Sequence, residues 1–113
     1  LKIYIAGRYT HTTEEERRQY VEAGKLAILQ LMKKGHTPIC TFSMTDGLEH
    51  NNMGLHYDDF MNLSLEWLLN CQAVYMLEGW EQSNGARIER ELAEKEGLPI
   101  YENIELIPEG DDD

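Results

Sequence analysis

The segment Ser83-Asn84-Gly85-Ala86-Arg87-Ile88-Glu89 brings together residue types that could hold an anion and attack an electrophile within two helical turns. Ser83 or Asn84 is a natural N-cap, because a short polar side chain can accept from the free N–H groups of a first turn. Gly85 carries no side chain, so a ligand can approach the backbone there. Free N–H groups and the positive end of the helix dipole suit a phosphate or a carboxylate; the plainer alternative is an ordinary helix cap that binds water. Glu89 differs from the other charged residues of this helix. Arg87, Glu91 and Lys95 can pair four residues apart, as can Arg90 and Glu94, whereas the residues three and four positions from Glu89 are Gly85, Ala86, Leu92 and Ala93. The helical period therefore sets this carboxylate on the small, apolar face, leaning toward the helix N-terminus. It is either a functional group, since a charge placed there without a partner is costly, or a boundary residue tilted into water.

A second group, Gly7-Arg8-Tyr9-Thr10, follows the first apolar run. Arg8 could clamp an anion and the Tyr9 phenol could orient a carboxylate, or the two are a surface arginine and a half-buried tyrosine. His50 and His56, with Asp58 and Asp59 behind them, match no metal-ligand spacing, and neither a metal nor a cofactor is expected. Walker, G-x-G-x-x-G and G-x-S-x-G motifs are absent, which leaves kinase, dinucleotide and serine-hydrolase readings without support.

The elements that must position these groups alternate between strand and helix. Ile3–Ala6 is β-rich and stops at Gly7. Thr12 or Thr13 can cap a helix running to Lys34, with Glu15 or Glu16 completing a capping box, Gly35 ending it, and Val21, Leu26, Ala27 and Leu31 on its buried side. His36–Cys40 is a short strand. Residues 42–57 are polar and aperiodic, a long loop for so small a domain. Asp58–Asn70 reads as a helix with Phe60, Leu63, Trp67 and Leu68 on one stripe. Ala73–Leu77 is continuously apolar, as in a central parallel strand covered on both faces. The loop GWEQSNG, a helix from about Gly85 to Glu96 and a strand Leu98–Tyr101 follow, and Ile104–Ile107 is a candidate edge strand. This order predicts a single flavodoxin- or Rossmann-like α/β domain over residues 1–107, a parallel sheet of four to five strands with helices on both faces, and a disordered acidic tail over 108–113. In such sheets ligands bind beyond the carboxyl ends of the strands, which is where both chemical segments fall.

With 113 residues the chain has room for one domain, so a second copy is expected to complete any enclosed site. Its 42% apolar share is that of a folded protein. A formal net charge of −11 repels polyphosphate backbones and anionic membranes, so neither polymeric nucleic acid nor a membrane is an expected partner. Cys40 and Cys71 form no C-x-x-C pair and read as buried thiols of a reduced compartment. No apolar run approaches the roughly 18 residues of a membrane span, and the start LKIYIAG does not read as a signal peptide, so a cytoplasmic location is expected.

The runs IYIAGRYT, CQAVYML and above all GWEQSNGARIERELAEKEGLPIY resemble the nucleoside 2-deoxyribosyltransferase superfamily, most of all the small deoxyribosyltransferase-like proteins of phages and bacteria. The likeness covers the chain to about Tyr101, and 79–101 is its specific part. The resemblance implies cleavage of the N-glycosidic bond of a deoxynucleoside or deoxynucleotide, with Glu89 as nucleophile and Tyr9 as the tyrosine that holds it. It implies substrate contacts from Gly7, Arg8, Ser64, Ser83, Asn84 and Gly85. Ser83 stands where transferases acting on free nucleosides carry an acid and monophosphate hydrolases a serine. That favours a 5′-monophosphate, since a carboxylate would repel the phosphate. Many relatives have proline at Arg8. Ser64 falls where the family has a base-contacting aspartate, and Asp58, Asp59 or Glu66 would replace it if the helix is shifted. The small-molecule partner is thus a nucleoside or nucleotide, and the resemblance implies a homodimer or higher homo-oligomer. Base exchange between free deoxynucleosides and a catalytically weak nucleotide-binding module are the competing functions.

Overall fold

The computed structural model describes residues 1–110. Among these, four strands form one parallel sheet in the order β2-β1-β3-β4: β1 (Lys2–Ala6), β2 (Thr37–Ile39), β3 (Ala73–Met76) and β4 (Ile100–Tyr101). The helices are α1 (Glu14–Lys33), the four-residue α2 (Thr41–Met44), α3 (Tyr57–Leu69) and α4 (Asn84–Lys95). This is a flavodoxin-like α/β arrangement, and α2 occupies part of the expected 42–57 loop. The chain turns from one side of β1 to the other, so the carboxyl ends of β1 and β3 meet at the switch point where such sheets hold ligands.

Alternation along the strands builds two cores. Ile3 and Ile5 of β1 with Ala73 and Tyr75 of β3 pack against Ala27 and Leu31 of α1. Tyr4 and Ala6 with Val74 and Met76 face the other way, onto Leu68 of α3 and Ala86 and Ala93 of α4. Because side chains alternate with period two, Tyr4 is forced onto the α4 side, and a phenol buried in a strand needs a polar partner there.

Thr13 caps α1, accepting from Glu16 N at 3.1 Å, while the Glu16 carboxylate takes Thr12 N at 3.0 Å. Gly35 (φ 88°) closes the helix in the left-handed conformation that favours glycine. Two of the expected helix faces are rotated. The inner side of α1 runs through Gly24, Ala27 and Leu31, and Leu26 is 55% exposed. On α3 the inner side runs through Met61, Ser64, Leu65 and Leu68, a set spaced three and four residues apart, while Leu63 and Trp67 face out. The candidate strand at Ile104–Ile107 is instead a 3-10 turn over Ile104–Leu106. Asn103 accepts from Glu105 N at 2.9 Å, which turns the chain away from the sheet, and Ile107 plugs the α1-side core. Beyond it, the carbonyl of Pro108 lies 2.6 Å from His36 Nε2, and Gly110 N donates to Lys34 O at 2.7 Å. The last three residues of the acidic end, 111–113, lie outside the described residues. Both cysteines are buried thiols, and among the described residues no helix is long and apolar enough to cross a membrane.

Gly24 fixes how closely α2 approaches α1. A Cβ there would lie 2.8 Å from Ser43 Oγ and 2.9 Å from the Phe42 ring. Gly24→Ala gains about 1 kcal/mol of helix propensity against about 1–3 kcal/mol of overpacking. The expected result in urea unfolding is a net loss of about 1 kcal/mol; a net gain would mean that α2 is not seated on this glycine.

Candidate active site

Three strand ends open into one cleft of about 510 Å³, within the ~300–1,000 Å³ typical of small-molecule sites. Gly7, Tyr9, Thr10 and His11 follow β1; Thr41, Phe42 and Thr45 follow β2; Ser83, Gly85, Ala86 and Glu89 come from the turn after β3 and from α4. Leu55, Tyr57, Phe60, Met61 and Ser64 form the wall from α3 and the loop before it.

Glu89 is 6% exposed, aimed inward from the second turn of α4. Small neighbours Ala86 and Ala93 let the helix sit close to the sheet, and the carboxyl meets the Tyr4 hydroxyl, which donates to Glu89 Oε2. Tyr4 Oη is also 2.8 Å from Thr41 Oγ1, which is 2.8 Å from Ser64 Oγ. Four elements, α4, β1, α2 and α3, thus contribute one side chain each to a continuous string of oxygens that is buried at Glu89, Tyr4 and Thr41 and reaches the cleft at Ser64. Burial pushes the Glu89 carboxyl from 4.5 up to about 7, against the pull of the Tyr4 hydrogen bond. Burial, then the negative charge of Glu89, holds the Tyr4 phenol well above its ordinary value, so it stays a neutral donor.

The expected tyrosine contact is therefore corrected. Tyr4, not Tyr9, touches Glu89. The Tyr9 hydroxyl donates to Asp46 at 2.6 Å and lies 3.1 Å from Glu49 Oε1; burial, then the Asp46 hydrogen bond, raises its pKa. Asp46 also takes Arg17 of α1 at 2.6 Å, and these two partners hold its carboxyl below the usual range, Tyr9 first. Tyr9 remains a wall of the cleft and ties the loop after α2 to the end of β1.

Gly7, Ser64, Ser83 and Gly85 line the cleft. Ser83 caps α4, its Oγ accepting from Ala86 N at 3.1 Å, and no acid stands in the first turn. At Gly85 an added Cβ would lie 3.4 Å from Tyr57 Oη and 3.6 Å from Met61 Sδ, so the backbone there faces the α3 wall of the cleft at contact distance. Arg8 and Asn84 are not among the cleft walls. Arg8 donates to Gln82 at 2.8 Å and stacks over Tyr20, and Asn84 faces Arg87 at 3.4 Å. Asp58, Asp59 and Glu66 are likewise not among the walls, and Asp59 is occupied by the backbone of His56 at 2.8 Å. Glu49, His11, His50 and His56 line the cleft, but among the described residues no three His, Cys, Asp or Glu gather as a metal cage. Sequence reasoning missed Tyr4 and Thr41. The signal for Tyr4 was a phenol at an even position of a buried strand; Thr41 gave none beyond its place after β2.

A family model described as a domain of unknown function (DUF4406) matches residues 1–102. No curated protein matches the chain by sequence. Among solved structures, the 2-deoxyribosyltransferase of Bacillus psychrosaccharolyticus superposes with a TM-score of 0.65 at 15% identity, covering 88% of this chain and 69% of that one. The two share a fold.

The raised Glu89 carboxyl makes stability depend on pH. Its folded pKa lies above its unfolded one, so it costs nothing below pH 4.5 and destabilises progressively as pH rises toward 7 and beyond, by a total of about 3 kcal/mol. Glu89→Gln removes that loss. Urea unfolding should show the variant gaining about 3 kcal/mol on the wild type between pH 4 and pH 8; an unchanged difference would place the carboxyl in water.

Proposed function

This chain belongs to the family described as a domain of unknown function, DUF4406, and we propose that it cleaves the N-glycosidic bond of a 2′-deoxynucleoside 5′-monophosphate with Glu89 as nucleophile. The observation that carries this reading is a buried carboxyl at the floor of a nucleoside-sized cleft, held by a phenol and reached from the carboxyl ends of three parallel strands. Glycosyl transfer through a covalent intermediate needs such a group, aimed at the anomeric carbon and shielded from water. The shared fold with a 2-deoxyribosyltransferase supports the substrate class.

Glu89 attacks C1′ as the base departs, forming a glycosyl ester that water then opens. The 5′-phosphate would lie at the start of α4, against the Ser83 hydroxyl and the N–H group of Gly85, where the helix dipole is positive and no acid intrudes. A second reading, base exchange between free deoxynucleosides, draws support from the cleft walls themselves: they contain no Lys or Arg, and Arg8 is held by Gln82 and Tyr20 outside them. In either case a second copy of the chain would cover the lip of the cleft, where Leu55 and Tyr57 are 46% and 53% exposed.

The test is incubation with a panel of deoxynucleosides and their 5′-monophosphates, with free base measured by chromatography. Release from the monophosphates is expected, falling at least ~1,000-fold in Glu89→Gln. New deoxynucleoside on addition of a second free base would select the transferase reading. Nucleotide binding by calorimetry without turnover, unchanged in Glu89→Ala, would mean a binding module. Wild-type release by Glu89→Gln would refute the nucleophile.

A further inference from the structure

We propose that the hydroxyls of Tyr4, Thr41 and Ser64 form a proton relay that delivers the proton of Glu89 to the departing base. The inference rests on the reading of Glu89 as the nucleophile and names the source of the proton that the leaving group needs.

A nitrogen base leaves a sugar readily only when it gains a proton, and a carboxyl attacks only once it has lost one. The string of oxygens connects the two requirements. Tyr4 Oη touches both Glu89 Oε2 and, at 2.8 Å, Thr41 Oγ1; Thr41 Oγ1 is 2.8 Å from Ser64 Oγ. Tyr4 and Thr41 are 1% and 2% exposed, so water does not compete for their hydroxyls, while Ser64 reaches the cleft wall. Thr45 engages the carbonyl of Thr41 and leaves its hydroxyl free for the chain.

Each hydroxyl carries one proton and two lone pairs, so the chain has two directions. With Glu89 ionised, Ser64 donates to Thr41, Thr41 to Tyr4 and Tyr4 to Glu89, and Ser64 shows the cleft only lone pairs. With Glu89 protonated the order reverses, and Ser64 offers its proton to the ligand. Reaction is the passage from the second state to the first. The C1′–N bond breaks and its electron pair stays on the base nitrogen, which takes the Ser64 proton. Ser64 takes that of Thr41, Thr41 that of Tyr4, and Tyr4 that of Glu89. The carboxylate pair so released forms the C1′–O bond. Each of four protons moves one place and no net charge is created. In hydrolysis, water standing where the base stood gives its proton to Ser64, the chain runs backward, and the carboxylic acid is restored. Burial supports the starting state, because it raises the Glu89 carboxyl to about 7 and so favours the protonated form far more than an exposed glutamate would. The titratable groups that bear on it are Tyr4 from β1 and the Cys40 thiol after β2, both raised by burial and by the negative charge of Glu89.

The experiment compares two leaving groups on the full chain. The purine deoxynucleoside 5′-monophosphate released fastest in the panel needs a proton; its N7-methyl derivative, already cationic, does not. Thr41→Val and Ser64→Ala should each lose roughly 100-fold in the single-turnover rate of base release on the first and less than about threefold on the second, with unchanged circular dichroism. Adding Ser64→Asp to Thr41→Val should recover most of the loss, because an acid then stands at the cleft end of the string. Equal losses on both substrates would assign Thr41 a structural role and overturn the relay. So would full activity of both variants with loss confined to Glu49→Gln, which would make Glu49 the acid. In both cases the nucleophile stands as long as Glu89→Gln is silent on both substrates. An active Glu89→Gln removes the nucleophile and the relay together.

Discussion

The structure turns on one contact, a carboxyl on the inner face of α4 hydrogen-bonded to a phenol in the middle of β1. Both groups are withdrawn from water, and neither could be buried alone at tolerable cost. Tyr4 gives Glu89 a neutral partner that limits, without cancelling, the penalty of desolvation. The remaining imbalance is what places the carboxyl near neutral pKa, where it can both hold and release a proton. A stronger partner such as an arginine would have stabilised the anion and removed that property.

The rest of the domain serves to keep this contact dry and open on one side. Ala86 and Ala93 bring α4 against the sheet, and the core beneath them locks Tyr4 in place. Gly24 lets α2 settle on α1, which carries the Thr41 hydroxyl to within 2.8 Å of the phenol oxygen. Ser64 closes the string from α3. The Arg17–Asp46–Tyr9 tie holds the segment after α2 beside the end of β1. The packing of α4 on β1 therefore encloses a group that, ionised, works against the fold, as is common where a site needs a shifted pKa.

Glu89 was legible because its isolation is a local property: four residues on either side contain its helical neighbours, and none is a charge partner. The cap at Ser83 and the opening at Gly85 were legible for the same reason. The tyrosine was not. Tyr9 follows the strand and looks accessible, but Asp46, 37 residues away, claims its hydroxyl. Tyr4 is hidden in an apolar run, and its meaning depends on which helix covers the even face of β1. The inner faces of α1 and α3 were also misjudged at Leu26, Leu63 and Trp67, since several apolar stripes were available and only the packing partner selects one.

The amino-acid sequence by itself determined the alternation of strands and helices, the parallel α/β class, the ends of α1 and α4, and the small, apolar helix face on which Glu89 stands, because periodicity and capping act over a few residues. Tertiary structure alone decided that Glu89 is aimed inward, which phenol meets the carboxyl, that Arg8 turns away from the cleft, and that Thr41 and Ser64 join the same string. Those contacts link residues 23 to 85 positions apart in the chain. Hydrogen bonding falls off within ångströms of space and is indifferent to separation in sequence, so only the folded arrangement could assign them.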